Sequence, residues 1–384
     1  MIADALARAA RDKRTVAIEG AGTKRGWGSI APAADVTIST RDLNAVVEHR
    51  HGDLTATVQA GATLADVNRT LARHGQWIAL DPPFGDRATI GGILATNDSG
   101  PRRHRFGAPR DQIIGVEIAQ ISGIVSKSGG IVVKNVAGYD LGRLMTGSFG
   151  SLAAITSATF KLYPIPPSSR TVVVDGTHVA PIVAALTSSQ LTPTAIEIET
   201  GSPDGLRHGA AATRLLVRLE SIDVAAEQQA SQVATLAESL GARTDVVRAD
   251  AETALWDAHA QRPWSRAGAV VKVTMLPTEV GPTLDWTGET LRDVEWEAVG
   301  RAGIGVLLLR VAGTAAQQAA FVTALRARIP TGRGSAVIVR ADDELKRAVD
   351  VWGPAGDSLA VMRAIKQQFD PGGLLNPGRG PFGI

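Results

Sequence analysis

Between Glu19 and Trp27 the chain reads "GAGTKRG", three glycines around Thr23, Lys24 and Arg25. Successive backbone N–H groups beside a hydroxyl and two cations form a nest in which a diphosphate can sit, although a solvated turn reads equally well. A dinucleotide fingerprint fails on spacing. Gly20 and Gly22 occupy its first two positions, but the third falls on Arg25 and no helical period follows. The stretch "PPFGDRATIGGILATNDSG", Pro82–Gly100, poses a related question, because Gly91 and Gly92 fall in the first turn of a helix that Thr89 could cap. Paired glycines there cost about 1–2 kcal/mol relative to alanine, so something must offset them. Either two backbones pack closely, or a flat ligand approaches with helix-start N–H groups aimed at it. In a third stretch, Lys134–Thr156, Gly138, Gly142, Gly147 and Gly150 punctuate a helix–turn–strand pattern.

Side chains able to move a proton or grip a carboxylate are concentrated in "RRHR", Arg102–Arg105. His104 could act as a base and Arg103 and Arg105 as a carboxylate clamp. The competing reading is a solvated basic face or a contact with a partner. Glu197 and Glu199 alternate on a strand pattern, which reads as a solvated edge. Five tryptophans, Trp256, Trp264, Trp286, Trp296 and Trp352, fall in the second half and read first as core or interface anchors.

The absence of cysteine excludes disulfides, thiolate nucleophiles and iron–sulfur clusters held by this chain's own thiolates. A net charge of +2 with interspersed signs and no basic tract argues against nucleic acid as a partner. No stretch reads as a membrane span or a signal peptide, so a cytoplasmic protein is expected. No metal site is expected.

Several elements must position these residues. The start, "MIADALARAARDKR", reads as an amphipathic helix. Strands are expected at 15–18, 36–39, 55–60, 113–121 and 130–133, followed by an apolar run to Lys161. Thr63 with Asp66 forms a capping pattern, Leu64, Val67 and Leu71 share one helical face, and Gly75 stops it. "YPIPPSS", Tyr163–Ser169, is the clearest linker. Beyond it strands at 215–219, 269–275, 304–311 and 336–339 alternate with helices, one carrying Val233, Leu236, Ala237 and Leu240, another Phe321, Val322, Leu325 and Ile329. A last helix spans 359–369. The expected division is 1–168, 169–345 and 346–384, with no internal sequence repeat.

Taken in order, "AIEGAGTKRG", "DLTATVQAGATL", "PPFGDRATIGGILATNDSG", "RFGAPRDQIIGVEI", "VVKNVAGYDLGRLMTGSFGSLAAITSATFKLYP" and the closing "FDPGGLLNPGRG" resemble the vanillyl-alcohol-oxidase (PCMH-type) flavoproteins. Within that family "PRRHRFGAPRD" and "KNVAGYDLGRLM" are most similar to the FAD-binding E subunits of bacterial glycolate oxidases. The resemblance implies an α+β fold: a PCMH-type domain of two α+β subdomains with FAD extended between them, under a ferredoxin-like α+β cap. By position it implies that Gly20, Ala21, Gly22, Thr23 and Lys24 hold the diphosphate. Pro82, Pro83, Gly85, Thr89, Ile90, Gly91 and Gly92 would line the flavin, and Ala95, Asn97 and Ser99 would continue along ribityl and diphosphate. Ile131 and Val133 would approach the adenine side, and Asn376 would return toward the ring.

None of the seven histidines sits in the diphosphate loop and cysteine is absent, so FAD is expected to be noncovalent. Relatives that oxidise 2-hydroxy acids carry His-x-Gly-Asp-Gly-Asn-x-His in the cap. Here no histidine follows His259 and "GDGN" occurs nowhere. The resemblance therefore implies a flavin subunit of a glycolate (2-hydroxy-acid) oxidase complex, peripheral at the inner membrane through its partners. Those partners are a sister flavin subunit bearing the metal–His site and an iron–sulfur subunit. A self-sufficient FAD oxidoreductase using "RRHR", or a flavin-free scaffold, are the alternatives.

Overall fold

The computed structural model describes residues 1–131, 138–176, 179–200 and 213–384. The chain forms two compact units. Met1–Gly100, Phe106–Ile165 and Pro354–Ile384 make the first; Pro101–Arg105 and Pro166–Gly353 make the second.

The first unit begins with helix α1 (Ile2–Arg11) and the parallel strands β1 (Val16–Glu19) and β2 (Val36–Ser39). Leu6, Val16, Ile38 and Leu375 bury a small core between them. Next come β3 (Val46–Arg50), β4 (Thr55–Gln59), helix α2 (Leu64–Leu71), the short β5 (Gln76–Trp77) and helix α3 (Ile90–Thr96). The Thr63 hydroxyl accepts from Asp66 N–H, and Gly75 takes φ +66°, so the capping and stop signals around α2 act as their chemistry predicts. After the single turns α4 (Arg103–Phe106) and α5 (Pro109–Gln112) follow β6 (Ile113–Ala119), β7 (Val125–Gly129), α6 (Leu141–Met145), β8 (Ala154–Lys161) and β9 (Tyr163–Pro164). A five-stranded antiparallel sheet runs β3-β4-β8-β6-β7. α2 and α3 pack on it through Val67, Leu71, Ile90, Ile93 and Leu94, all essentially buried. β6 pairs on one side with Val125–Gly129, an edge strand not expected from the sequence; of the strand expected at 130–133, residues 130 and 131 lie in no strand and 132–133 are outside the described residues. Val133, with the rest of 132–137, lies outside the described residues.

The second unit runs β10 (Ser168–Asp175), α7 (Val179–Ser188), β11 (Ala195–Thr200), β12 (Thr213–Ser221), α8 (Asp223–Ser239) and β13 (Arg243–Val247). It continues through α9 (Ala249–Gln261), β14 (Ala269–Thr274), α10 (Val280–Thr290), β15 (Trp296–Arg301), β16 (Val306–Val311), α11 (Ala315–Arg328), β17 (Ser335–Arg340) and α12 (Asp343–Ala348). The eight strands form one sheet in the order β13-β10-β12-β11-β15-β16-β14-β17. Each half is a βαββαβ unit with the ferredoxin-like order, and the two join through the antiparallel pair β11–β15. The sequence shows no repeat, yet the topology is duplicated. One sheet face carries Ile196, Ile198, Leu215, Val217, Leu307 and Leu309 into the main core. Trp286 stacks on Phe321 there and Trp296 and Trp352 pack against it, as anchors rather than ligand-facing rings. Helix α13 (Leu359–Phe369) returns to the first unit, where Ile365 and Phe369 pack on its core.

Candidate functional site: a glycine-lined groove

In the first unit an open groove runs from the loop after β1 to the start of α3. Gly20, Ala21, Gly22, Thr23, Lys24 and Arg25 form one wall; Thr89, Gly92, Ala95, Thr96 and Phe149 form the other, with Arg379 at the end. The loop turns because Gly22 takes φ +73° and because Arg25 N–H and Trp27 N–H donate to the carbonyls of Gly22 and Lys24. Gly20 is required by contact: a Cβ there would run into the Thr89 hydroxyl.

The two glycines of α3 have different reasons. Gly91 faces Ala60, the residue just after strand β4: an added Cβ would meet it at 3.0 Å, and the Gly91 N–H donates to Ala60 C=O. Gly92 faces the groove. Close packing therefore accounts for Gly91, while Gly92 is left open to the groove. The expected helix-start donors are largely committed, since Ile90 N–H is also bound, to Ala62 C=O. Thr89 occupies the N-cap position without a side-chain capping bond, and its hydroxyl lies between Gly20 and Gly92 instead.

Lys24 is the one side chain of the loop drawn fully inward. It is 6% exposed, its ammonium sits 3.2 Å from Asp98 Oδ2, and it lies 5.6 Å from the Trp27 ring centroid. Neither Lys24 Nζ nor Asp98 Oδ2 has a hydrogen-bond partner. A buried ion pair with unused donors is costly unless something else takes them up. Arg25 instead pairs outward with Glu19.

Of the sequence-derived candidates, the groove unites Gly20, Ala21, Gly22, Thr23, Lys24, Thr89, Gly92 and Ala95. Others lie off its walls. Ile90 is a core side chain and Pro82 and Pro83 are buried. Asn97 caps α3 at φ +47° with Oδ1 buried and unbonded; Gly85, Ser99 and half-buried Ile131 do not line the groove. The Asn376 amide is committed to backbone on both sides: Oδ1 accepts from Ile18 N–H at 3.1 Å and Nδ2 donates to Phe149 C=O at 2.9 Å. Sequence reasoning missed Asp98, Phe149 and Arg379. Asp98 stands inside the stretch already singled out, and Arg379 is the one cation of the closing "NPGRG".

The "RRHR" residues belong to the second unit and are not a solvated face. Arg102 pairs with Glu220 at 2.7 Å, both mostly buried, and Arg105 donates to Thr192 C=O at 3.1 Å. His104 packs against Gly303, and burial holds its imidazole below the usual histidine range despite the nearby Glu197. Its Nδ1 is buried without a partner. Arg103 also has partners. Glu197 and Glu199, expected at a solvated edge, are 1% and 2% exposed. His259, on α9, bonds Glu199 through Nδ1 at 2.7 Å and Glu197 through Nε2 at 3.0 Å. Burial pushes the imidazole down, but these two carboxylates outweigh it and raise it to about 8. Glu199, which burial would raise, is drawn down to about 2 by His259, Arg214 and Arg262. Among the described residues, no group of three or more histidines, aspartates or glutamates is arranged to hold a metal ion.

Backbone laid bare by glycine, beside a buried lysine whose ammonium makes no hydrogen bond, fits a cofactor that carries a flat ring and a diphosphate. Residues 1–140 match the family described as FAD binding domain, and residues 352–379 match the C-terminal domain of FAD linked oxidases. Glycolate oxidase subunit GlcE of Escherichia coli is 36% identical over 163 residues, 42% of this chain and 46% of that one. The match thus spans less than half of that relative. Glycolate oxidase subunit GlcD of Bacillus subtilis is 26% identical, covering 94% of this chain and 82% of its own. D-2-hydroxyglutarate dehydrogenase of Xanthomonas citri is 28% identical, covering 95% and 84%. A solved structure of alkyldihydroxyacetonephosphate synthase superposes with a TM-score of 0.72 at 17% identity, over 98% of this chain and 74% of that one, which establishes the shared fold. Parts of the chain thus match an FAD binding domain and the C-terminal domain of FAD linked oxidases, and FAD is its cofactor.

Proposed function

We propose that the chain is the FAD-binding subunit of an oxidase or dehydrogenase complex acting on a small 2-hydroxy acid such as glycolate. The observation that carries this reading is the glycine-lined groove with its buried, under-bonded Lys24. Lys24, Thr23 and the N–H groups of the loop would hold the diphosphate, while Thr89, Gly92 and Ala95 would let the cofactor approach the backbone. Bound there noncovalently, FAD supplies a two-electron acceptor. The GlcE and GlcD relatives support the subunit role, and no histidine after His259 is available for a metal–imidazole site on the cap. A sister flavin subunit would then meet the substrate and an iron–sulfur subunit would carry electrons onward. No helix of the described residues is long and apolar enough to cross a membrane, so any membrane association would come through those partners.

One observation favours a self-sufficient enzyme instead: His104 is held neutral, with a buried unpartnered Nδ1, as a general base requires. The two readings separate on one measurement. Purified chain should show a flavin spectrum, and acid precipitation should release all of the flavin. Anaerobic glycolate or D-lactate should leave that spectrum unbleached until the partner subunits are added. Bleaching by the isolated chain would favour the self-sufficient reading, and no flavin uptake at all would sink both.

A further inference from the structure

The segment after α13 is held more firmly than a terminal tail needs to be. Leu374 C=O accepts from Val16 N–H and Asn376 N–H donates to Val16 C=O, both at 2.8 Å, so the segment meets β1 in a parallel bridge at Leu375. Lys366 Nζ reaches Ser151 C=O at 2.7 Å and Asp370 at 2.6 Å, while Asp370 accepts from Leu374 and Leu375 N–H. Asn376 is 4% exposed and adopts φ +42°, a strained conformation that its side-chain bonds compensate. Those bonds tie Ile18, at the root of the glycine loop, to Phe149, on the opposite wall of the groove. Arg379 Nη2 then donates to Lys24 C=O at 2.8 Å and Arg25 C=O at 3.0 Å. Because each peptide is planar, fixing these two carbonyls fixes the two successive peptide planes that follow the buried lysine.

We propose that Asn376 and Arg379 form a brace that preorganises the cofactor groove, so that FAD binding and docking of the C-terminal segment are one coupled equilibrium. This rests on the groove being the FAD site. Asn376 holds the two walls at a set separation and Arg379 holds the loop in its anion-ready form. By linkage, FAD must in turn tighten the segment by the same factor that the segment tightens FAD. Asn376, which lies off the groove wall, is a positioning residue; Arg379 lines the end of the groove and holds the loop from there.

The test uses the full chain stripped of flavin. FAD affinity is read by flavin fluorescence for the parent, Asn376→Ala and Arg379→Met, and hydrogen exchange of residues 371–384 is followed in the parent with and without FAD. Each variant is expected to weaken FAD by about 10- to 100-fold, the loss of one or two buried hydrogen bonds. FAD should slow exchange across 371–384 in the parent. The exchange arm needs no variant to fold. A parent that binds FAD with unchanged exchange overturns the brace, as do folded variants with affinity within twofold of the parent. A parent that takes up no FAD sinks the cofactor reading, and the brace with it.

Discussion

Two regions of this molecule bury polar groups in opposite ways. In the first unit the groove is bare: glycines replace side chains and one lysine is left with a single ionic partner. In the second unit the sheet face opposite the main core is crowded with charge, and almost every charge is matched. Glu197 stands across from Arg301, Glu199 from Arg214 and Glu297 from Arg310, with His259 laid over the first two glutamates. Cross-strand pairing neutralises each charge where it is buried, which is the condition for burying it at all. The second unit is not wholly satisfied either, since Glu197 Oε1 has no hydrogen-bond partner; what sets the groove apart is that its unbonded lysine stands where glycines leave the backbone open.

The comparison breaks most visibly at Glu199. Glu199→Ala would leave His259, Arg214 and Arg262 short of a buried counter-charge and should destabilise the second unit by about 3–5 kcal/mol. Denaturant titration followed by tryptophan fluorescence should show this, with FAD affinity unchanged; loss of FAD affinity would mean that the two interiors are not independent. In the groove, Gly20→Val should weaken FAD by about 100-fold or more, since its side chain drives the loop away from Thr89. Gly26→Ala, a few residues on, meets nothing within 4 Å and should leave FAD affinity alone. Equal losses in the two variants would show that loop flexibility, not close approach, is what glycine supplies.

The His259 effect is smaller. Its folded value of about 8 lies above the ordinary 6.5, so the imidazolium's contribution is complete below pH 6.5 and disappears as pH rises through 8. That difference is worth about 2 kcal/mol. Stability of the second unit should fall by this amount between pH 6.5 and 9, and His259→Gln should flatten the profile. A parent profile flat across that window would mean that His259 is buried neutral. The least effect is expected for Lys24→Met, about tenfold in FAD affinity, because the variant also relieves the lysine's own desolvation.

How much of this could be read in advance depended on the range of the interaction. Thr63, Asp66 and Gly75 act within a few residues of one another, and α2 begins and ends close to where they place it. The glycine loop was legible because its requirement, backbone without side chain, is written in residue type. Glu197 and Glu199 were misread because alternation on a strand says which residues share a face, never what covers that face. Their cover, His259, comes from about 60 residues away on α9. Strand β7 was missed because Val125–Gly129 gains its conformation from β6, not from its own composition.

By itself the sequence determined the local chemistry: caps, turns, apolar periods, a cradle of glycines with a lysine in it, and the lack of histidine beyond His259. Tertiary structure alone decided which of the paired glycines packs and which faces the groove. It alone turned two unlike stretches into matching ferredoxin-like halves, and brought Arg379 back 354 residues to the carbonyl of Arg25. The reason is physical. Propensity and capping act through neighbours along the chain, whereas the burial of a charge and the width of a groove are set by whatever the fold places opposite.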